Sequence, residues 1–204
     1  FSLRSPCADN RVEIHIFPGG YAGVLGLGDG TVNLCLAIDK SRLSGDDPAM
    51  SLIDFHLPQN PFLKVLLAQG EVMDKPRAIS PVYFPPRRCY GAGLLLAGDA
   101  ARGTEPVTGE GIYFAMQSGL LAAAALDRAF AVSNFSGDFL RSYDRACRRE
   151  FGRRQRINAL IRWAIYQPRL VTQLTHGFRA HGGLLDALVA TVCRPRPLPS
   201  RIGV

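Results

Sequence analysis

The sequence has no cysteine pair in C-x-x-C spacing. Cys7, Cys35, Cys89, Cys147 and Cys193 are odd in number and widely separated, which excludes a disulfide framework and a cysteine-based zinc site. The histidines, His15, His56, His176 and His181, show no ligand spacing either, so no metal is expected. No apolar run approaches the roughly 18 to 20 residues that span a bilayer. The nearest, Leu184 to Cys193, contains Asp186, so the chain is not expected to cross a membrane. The opening segment has no charged lead, apolar run and small-residue cleavage site, so no signal peptide is read and a reducing, cytoplasmic setting is expected. A dinucleotide fingerprint is missing as well. The stretch from Gly19 to Gly30 is glycine-rich, but Thr31 stands in the third glycine position after Gly26 and Gly28, and a strand pattern follows where a helix is required. Gly98 and Gly103 have P-loop spacing, yet Thr104 and Glu105 occupy the places of the lysine and hydroxyl that such a loop needs.

Acidic residues are the minority: 24 Lys plus Arg stand against 17 Asp plus Glu, a net charge of +7. The basic residues are not interleaved with stacking aromatics, so a nucleic-acid partner is not expected. A length of 204 residues with 47% hydrophobic content supports a packed core.

Val12 to Phe17 alternates polar and apolar residues as a strand does, and Tyr21 to Leu27 and Thr31 to Ile38 flank Gly28-Asp29-Gly30 as the arms of an antiparallel hairpin. Lys40 to Pro48 reads as a polar loop, and short helices are expected on each side of the Pro58 to Pro61 break. Ala78 to Phe84 reads as a strand ended by Pro85-Pro86, and Leu94 to Ala97 as a buried strand. Beyond Gly111, Ile112, Ala115, Met116, Gly119, Ala122, Ala123 and Leu126 recur at helical spacing and predict a core helix seated by that face. Close packing by that face would keep the helix N-terminus aimed at a ligand, so a bulky residue at Gly119 should disturb ligand affinity indirectly. Asp138 to Arg156 is a basic helical stretch, with Ile157 to Tyr166, Pro168 to Ala180 and Leu184 to Cys193 as further helices and Pro195 to Val204 as a tail. The basic helix is read as a solvated face, with contact with an anionic membrane as the alternative.

The chemistry concentrates between Leu94 and Ile112. An apolar strand running into Gly98-Asp99 puts a carboxylate just past the strand's carboxyl end, where open α/β sheets bind ligands. A carboxylate only accepts hydrogen bonds, so Asp99 suits a sugar-alcohol hydroxyl. Pro106 stiffens the next turn, and Thr108 is expected to cap a helix opening with Gly109, Glu110 and Gly111. Glycines leave backbone N–H groups bare, so a planar ring bearing negative charge can approach the helix's positive end. A reduced flavin is such a ring.

Gly98-Asp99-Ala100-Ala101 followed by Pro106-Val107-Thr108-Gly109-Glu110-Gly111-Ile112 resembles the second flavin-binding motif of the large FAD-dependent oxidoreductases. Within them the chain is similar to the geranylgeranyl reductase group, which includes electron-transfer dehydrogenases, over nearly its whole length. Arg102 and Glu105 depart from that motif. The resemblance implies an α/β (α+β) chain forming part of a two-domain FAD-binding fold. It assigns 1–90 to a substrate-binding antiparallel sheet region, 91–135 to the flavin-binding strand, turn and helix, 136–194 to C-terminal helices and 195–204 to a tail. It also implies that Asp99, beside Gly98, binds the ribityl chain, while Pro106 and Thr108, Gly109, Glu110, Gly111 and Ile112 line the pyrimidine side of the isoalloxazine. A Tyr-x-Trp-x-Phe-Pro stretch marks many prenyl reductases; Tyr21 matches it, and Gly23, Leu25 and Gly26 replace the rest.

The implied activity is hydride transfer between FAD and an organic, hydrophobic substrate of prenyl type, served by an external electron donor or acceptor. A flavin-dependent monooxygenase or halogenase, and a non-catalytic fragment, are the alternatives. No side-chain acid or base is assigned. The Rossmann unit that holds the adenine end of FAD is not found in the sequence, so the chain is expected to be the C-terminal portion of such an enzyme and to bind FAD weakly alone.

Overall fold

The computed structural model describes residues 2–4, 12–42 and 57–193. Backbone contacts divide the chain into two compact units, 1–80 with 163–172 and 81–162 with 173–204.

The first unit is built on an antiparallel sheet of β1 (Ser2–Arg4), β2 (Val12–Phe17), β3 (Gly20–Gly26), β4 (Thr31–Ile38) and β5 (Glu71–Val72), in the order β2-β3-β4-β1-β5. The hairpin forms as its turn chemistry predicts. Gly28 and Gly30 sit at φ of 86° and 81°, and the Asp29 carboxylate accepts the Thr31 backbone N–H at 3.0 Å. The helix α1 (Pro61–Gln69) begins with proline at its first position. Asn60 caps it by accepting the N–H groups of Phe62 and Leu63 at 3.0 and 3.3 Å. Alternation sends Val24, Val32 and Leu34 to one sheet face, where they form a core with Leu57, Leu63 and Leu66. Each such buried side chain contributes about 1.5–3 kcal/mol of hydrophobic stabilisation. The other face carries Val12, Ile14, Ile16 and Leu25, all exposed, with Ile14 paired to Gly23 and Val12 to Leu25. The helix expected before Pro58 falls largely outside the described residues.

The second unit joins a short hairpin, β6 (Tyr90–Gly91) and β7 (Leu94–Leu95), to the helix α2 (Gly111–Ala131) and to the helix α3 (Gly137–Ile165) as far as Arg162. The helices α4 (Pro168–Ala180) and α5 (Gly182–Cys193) follow in sequence, separated where Pro168 and Gly182 predict. Among the described residues no helix is long and apolar enough to cross a membrane.

Four expectations are corrected. The strand at Leu94 is two residues long and half open, because Tyr90–Gly91 pairs with one side of it and Leu94 stays exposed. Ala78 to Phe84 forms no strand: Pro81 in its middle lacks the N–H a ladder needs, Pro85 and Pro86 stop any continuation, and only Phe84 makes a bridge, to Gly103. Asp138 to Tyr166 is not two helices. It is one of 29 residues over Gly137–Ile165, since nothing between Arg156 and Ile157 breaks it. The helix α2 buries the opposite face from the one expected. Phe114, Gln117, Ser118, Ala125 and Ala129 pack inward, with Phe114 against Phe151 at 4.8 Å between ring centroids, while Ile112 and Met116 are 77% and 67% exposed. Gly119 faces open space as well, so a side chain there meets nothing.

Candidate functional site

The turn from Leu96 to Ala101 is pinned from behind by two helices. Tyr143 of α3, fully buried, places its hydroxyl 2.8 Å from the Leu96 carbonyl and 3.3 Å from that of Ser118. Burial pushes the Tyr143 phenol up, and it stays a donor. Ser118 of α2 accepts the Gly98 N–H at 2.8 Å and donates to the Ala115 carbonyl at 3.0 Å. Gly98 itself sits at φ 57°, where an added Cβ would lie 3.3 Å from Ala115. A single 3-10 turn over Gly98–Ala100 follows, and it leaves Asp99 and Ala100 exposed.

The second loop makes another 3-10 turn over Pro106–Thr108. It then reverses at Gly109, which adopts φ 66° with nothing within 4 Å of its missing Cβ. Thr108 therefore does not cap α2. The helix starts two residues beyond the reversal, with Glu110 at the cap position and no side-chain cap. The Thr108 hydroxyl is used instead inside the loop, donating to the Glu105 carbonyl at 3.3 Å and accepting from Asn158 Nδ2 at 2.5 Å. Asn158 Oδ1 also accepts the Glu105 N–H at 3.4 Å, so one amide of α3 holds both ends of the turn.

Glu110 is buried and pairs with Arg154 Nη1 at 2.7 Å, and the Arg154 guanidinium stacks 4.6 Å over the Tyr113 ring. Glu105 is likewise buried, against Arg162 at 3.2 Å. Its carboxylate and that of Glu110 are turned to α3, so toward a ligand Glu110 offers backbone alone. Tyr113 donates to Glu150 at 3.1 Å; burial, then the Glu150 carboxylate, push its phenol up.

Gly109, Gly111 and the backbone N–H groups of Gly111, Ile112 and Tyr113 thus stand at an uncapped helix start. The first intrahelical bond is made by Phe114 N–H, to the Glu110 carbonyl at 2.9 Å. Exposed beside them are Asp99, Pro106 and Ile112. This set fits the ring and ribityl end of a flavin: uncapped donors at a positive helix end for a carbonyl-rich edge, an acceptor for hydroxyls, and flat apolar flanks. Sequence reasoning missed Ser118, Tyr143, Arg154 and Asn158. Polar residues inside otherwise apolar helix faces, such as Ser118 and Asn158, were the available signal.

Behind the loop lies Arg102, 3% exposed, with Nε and Nη1 making no hydrogen bond and its guanidinium 4.8 Å from the Phe151 centroid. Cys89 and Cys147, both free and fully buried, share this cluster. The Cys89 thiol's hydrogen bond, helped by the Tyr143 hydroxyl and the Arg102 charge, brings Cys147 down to about 7, while Cys89 is pushed up by the same partner and by burial. Among the described residues no cluster can hold a metal.

The fold is shared with flavin-dependent enzymes. The chain matches the structure of a flavin-dependent brominase with a TM-score of 0.67 at 19% identity, over 94% of this chain and 48% of that one. It matches a geranylgeranyl bacteriochlorophyll reductase-like protein of Thermoplasma acidophilum with a TM-score of 0.62 at 23% identity, over 81% of this chain and 42% of that one. Sequence narrows the class to the geranylgeranyl reductase group, to which the chain is related. It is 31% identical to digeranylgeranylglycerophospholipid reductase 2 of Methanopyrus kandleri over 142 residues, 70% of this chain and 36% of that protein. To reductase 1 of Methanococcoides burtonii it is 31% identical over 147 residues, 72% of this chain and 34% of that protein. The chain spans about a third of the length of these curated relatives. No family model matches it.

Proposed function

We propose that this chain supplies the ring-holding half of an FAD-dependent oxidoreductase that reduces a prenyl-type organic substrate. The observation that carries this reading is the uncapped start of α2 behind the reversal at Gly109, with exposed Asp99 and Pro106 beside it. Bound there, the flavin supplies the hydride chemistry. The protein's part is to orient and polarise. Asp99 accepts ribityl hydroxyls, the Gly111 to Tyr113 N–H groups favour negative charge at the ring's pyrimidine edge, and Pro106 and Ile112 cover it. The exposed row Val12, Ile14, Ile16 and Leu25 on the sheet suits an apolar chain. An external electron donor or acceptor completes the cycle, and exposed arginines of α3 give a peripheral contact with anionic lipid a physical basis. The names of the relatives favour a prenyl-lipid reductase over the monooxygenase or halogenase alternative.

Titration of the chain with FMN and with FAD, followed by quenching of flavin fluorescence, tests this. Both flavins should bind with similar, weak affinity, because only the ring and ribityl end are held. Asp99→Ala should weaken both about tenfold, a loss of about 1.4 kcal/mol, while Asp127→Ala leaves them alone. Unchanged binding by Asp99→Ala removes the reading.

A further inference from the structure

In the second unit an open cavity of about 590 Å³ is lined by Arg88, Tyr90, Arg141, Asp144, Arg145 and Arg148. We propose that it is a binding site for a phosphate ester anion. Arg141, Arg145 and Arg148 follow one another at helical spacing along α3, so their guanidinium groups share one flank of that helix. Arg88 reaches the same space from the segment before β6, its guanidinium carbon 4.4 Å from the centroid of the Tyr90 ring, which holds the planar group in place.

The cavity contains a single carboxylate, and it is already committed. Asp144 accepts Arg148 Nε at 2.7 Å and the Cys89 thiol at 3.2 Å. Burial works against its charge, and those two hydrogen bonds outweigh burial and keep it ionised. Arg148 is thereby oriented with its terminal nitrogens free to turn outward. Four guanidinium groups against one carboxylate leave a net charge of +3, with Arg141 and Arg145 one turn apart and repelling each other. An anion bridging them removes that repulsion. Guanidinium groups bind carboxylate and phosphate alike through paired, parallel N–H donors, and the three free oxygens and double charge of a phosphate monoester let it bridge several of these groups at once, as a carboxylate or halide does less well. The opening admits the ester's organic part, so the phosphate can belong to a soluble ester or to a lipid headgroup.

This site needs no flavin and does not depend on the proposed activity. The test is calorimetric titration of the full chain with glycerol phosphate at low salt, beside glycerol as the uncharged control. Sedimentation with phosphatidylcholine vesicles, plain or containing phosphatidic acid, runs in parallel. Two variants remove the same charge: Arg141→Gln with Arg145→Gln inside the cavity, and Arg128→Gln with Arg153→Gln outside it. All four residues are exposed, so both variants should fold.

The wild type and the outer variant should bind glycerol phosphate equally, and the cavity variant about tenfold more weakly, as loss of two charge-assisted contacts implies. If phosphatidic acid vesicles show the same dependence, the source is a headgroup; if only the soluble ester does, it is a free ester. Equal weakening in both variants would show general attraction to positive charge and overturn the proposal. So would the absence of binding to the wild type in both arms.

Discussion

Asn158 donates its side-chain amide to the Thr108 hydroxyl at 2.5 Å across fifty residues of sequence, and the same amide accepts the Glu105 N–H. The bond to Glu105 is buried and the one to Thr108 partly so, and loss of the amide leaves the Glu105 N–H unsatisfied in a buried place. Asn158→Ala should cost about 1–3 kcal/mol in chemical unfolding and should weaken flavin binding with it, because Pro106 to Gly109 lose their brace. Asn158→Ala that unfolds at the wild-type denaturant concentration would show that the loop holds itself.

The two faces of α2 should respond oppositely to truncation. Phe114, packed on Phe151, should cost about 3–5 kcal/mol when changed to alanine. Ile112→Ala should leave the unfolding midpoint within about 0.5 kcal/mol of wild type, since its side chain is largely in solvent, and still weaken flavin binding. Gly119→Leu should be tolerated, which reverses the expectation from the sequence.

Stability should vary with pH through the buried thiols. Cys147 is brought down to about 7 in the folded chain from 9.0, so between those values the unfolded chain binds the extra proton and stability rises with pH. Above about pH 9 the sign reverses, because Cys89 and then Tyr143, both pushed up by their surroundings, ionise in the unfolded chain first. Denaturant midpoints measured from neutral to alkaline pH should pass through a maximum. Cys147→Ser should flatten the rising limb, and a rise that survives this change would assign it elsewhere.

Two glycines of β3 should separate cleanly. A Cβ at Gly20 would lie 2.4 Å from the Ala37 carbonyl oxygen, so Gly20→Ala should destabilise the sheet by about 1–3 kcal/mol. Gly23 has nothing within 4 Å, and Gly23→Ala should be neutral or slightly stabilising. Thermal unfolding of the two variants decides the matter.

The local features were legible. The Gly28-Asp29-Gly30 turn and the proline at Pro168 act over a few residues, and the structure places the hairpin and α4 where they indicate. The turn at Gly98-Asp99 was visible for the same reason. What the sequence hid were choices between equal patterns. α2 is apolar on two sides, so periodicity could not say whether Ile112 or Phe114 turns inward; the aromatic rings and Tyr143 of α3 decide it. Arg154 looked like one more solvated arginine in a basic stretch, and its partner Glu110 stands 44 residues away. Thr108 had the chemistry of a cap, but a left-handed residue after it moved the helix start beyond its reach.

The unbroken course of α3 has a mechanical consequence. It carries Arg141, Arg145 and Arg148 in its first half and Arg154, Asn158 and Arg162 toward its end. Arg145 and Asn158 are thirteen residues apart, about 20 Å along a helix that rises 1.5 Å per residue. The loop braced by one and the cavity lined by the other are therefore marks on a single ruler. A molecule engaged at both must match that length, because no hinge lies between them to adjust it.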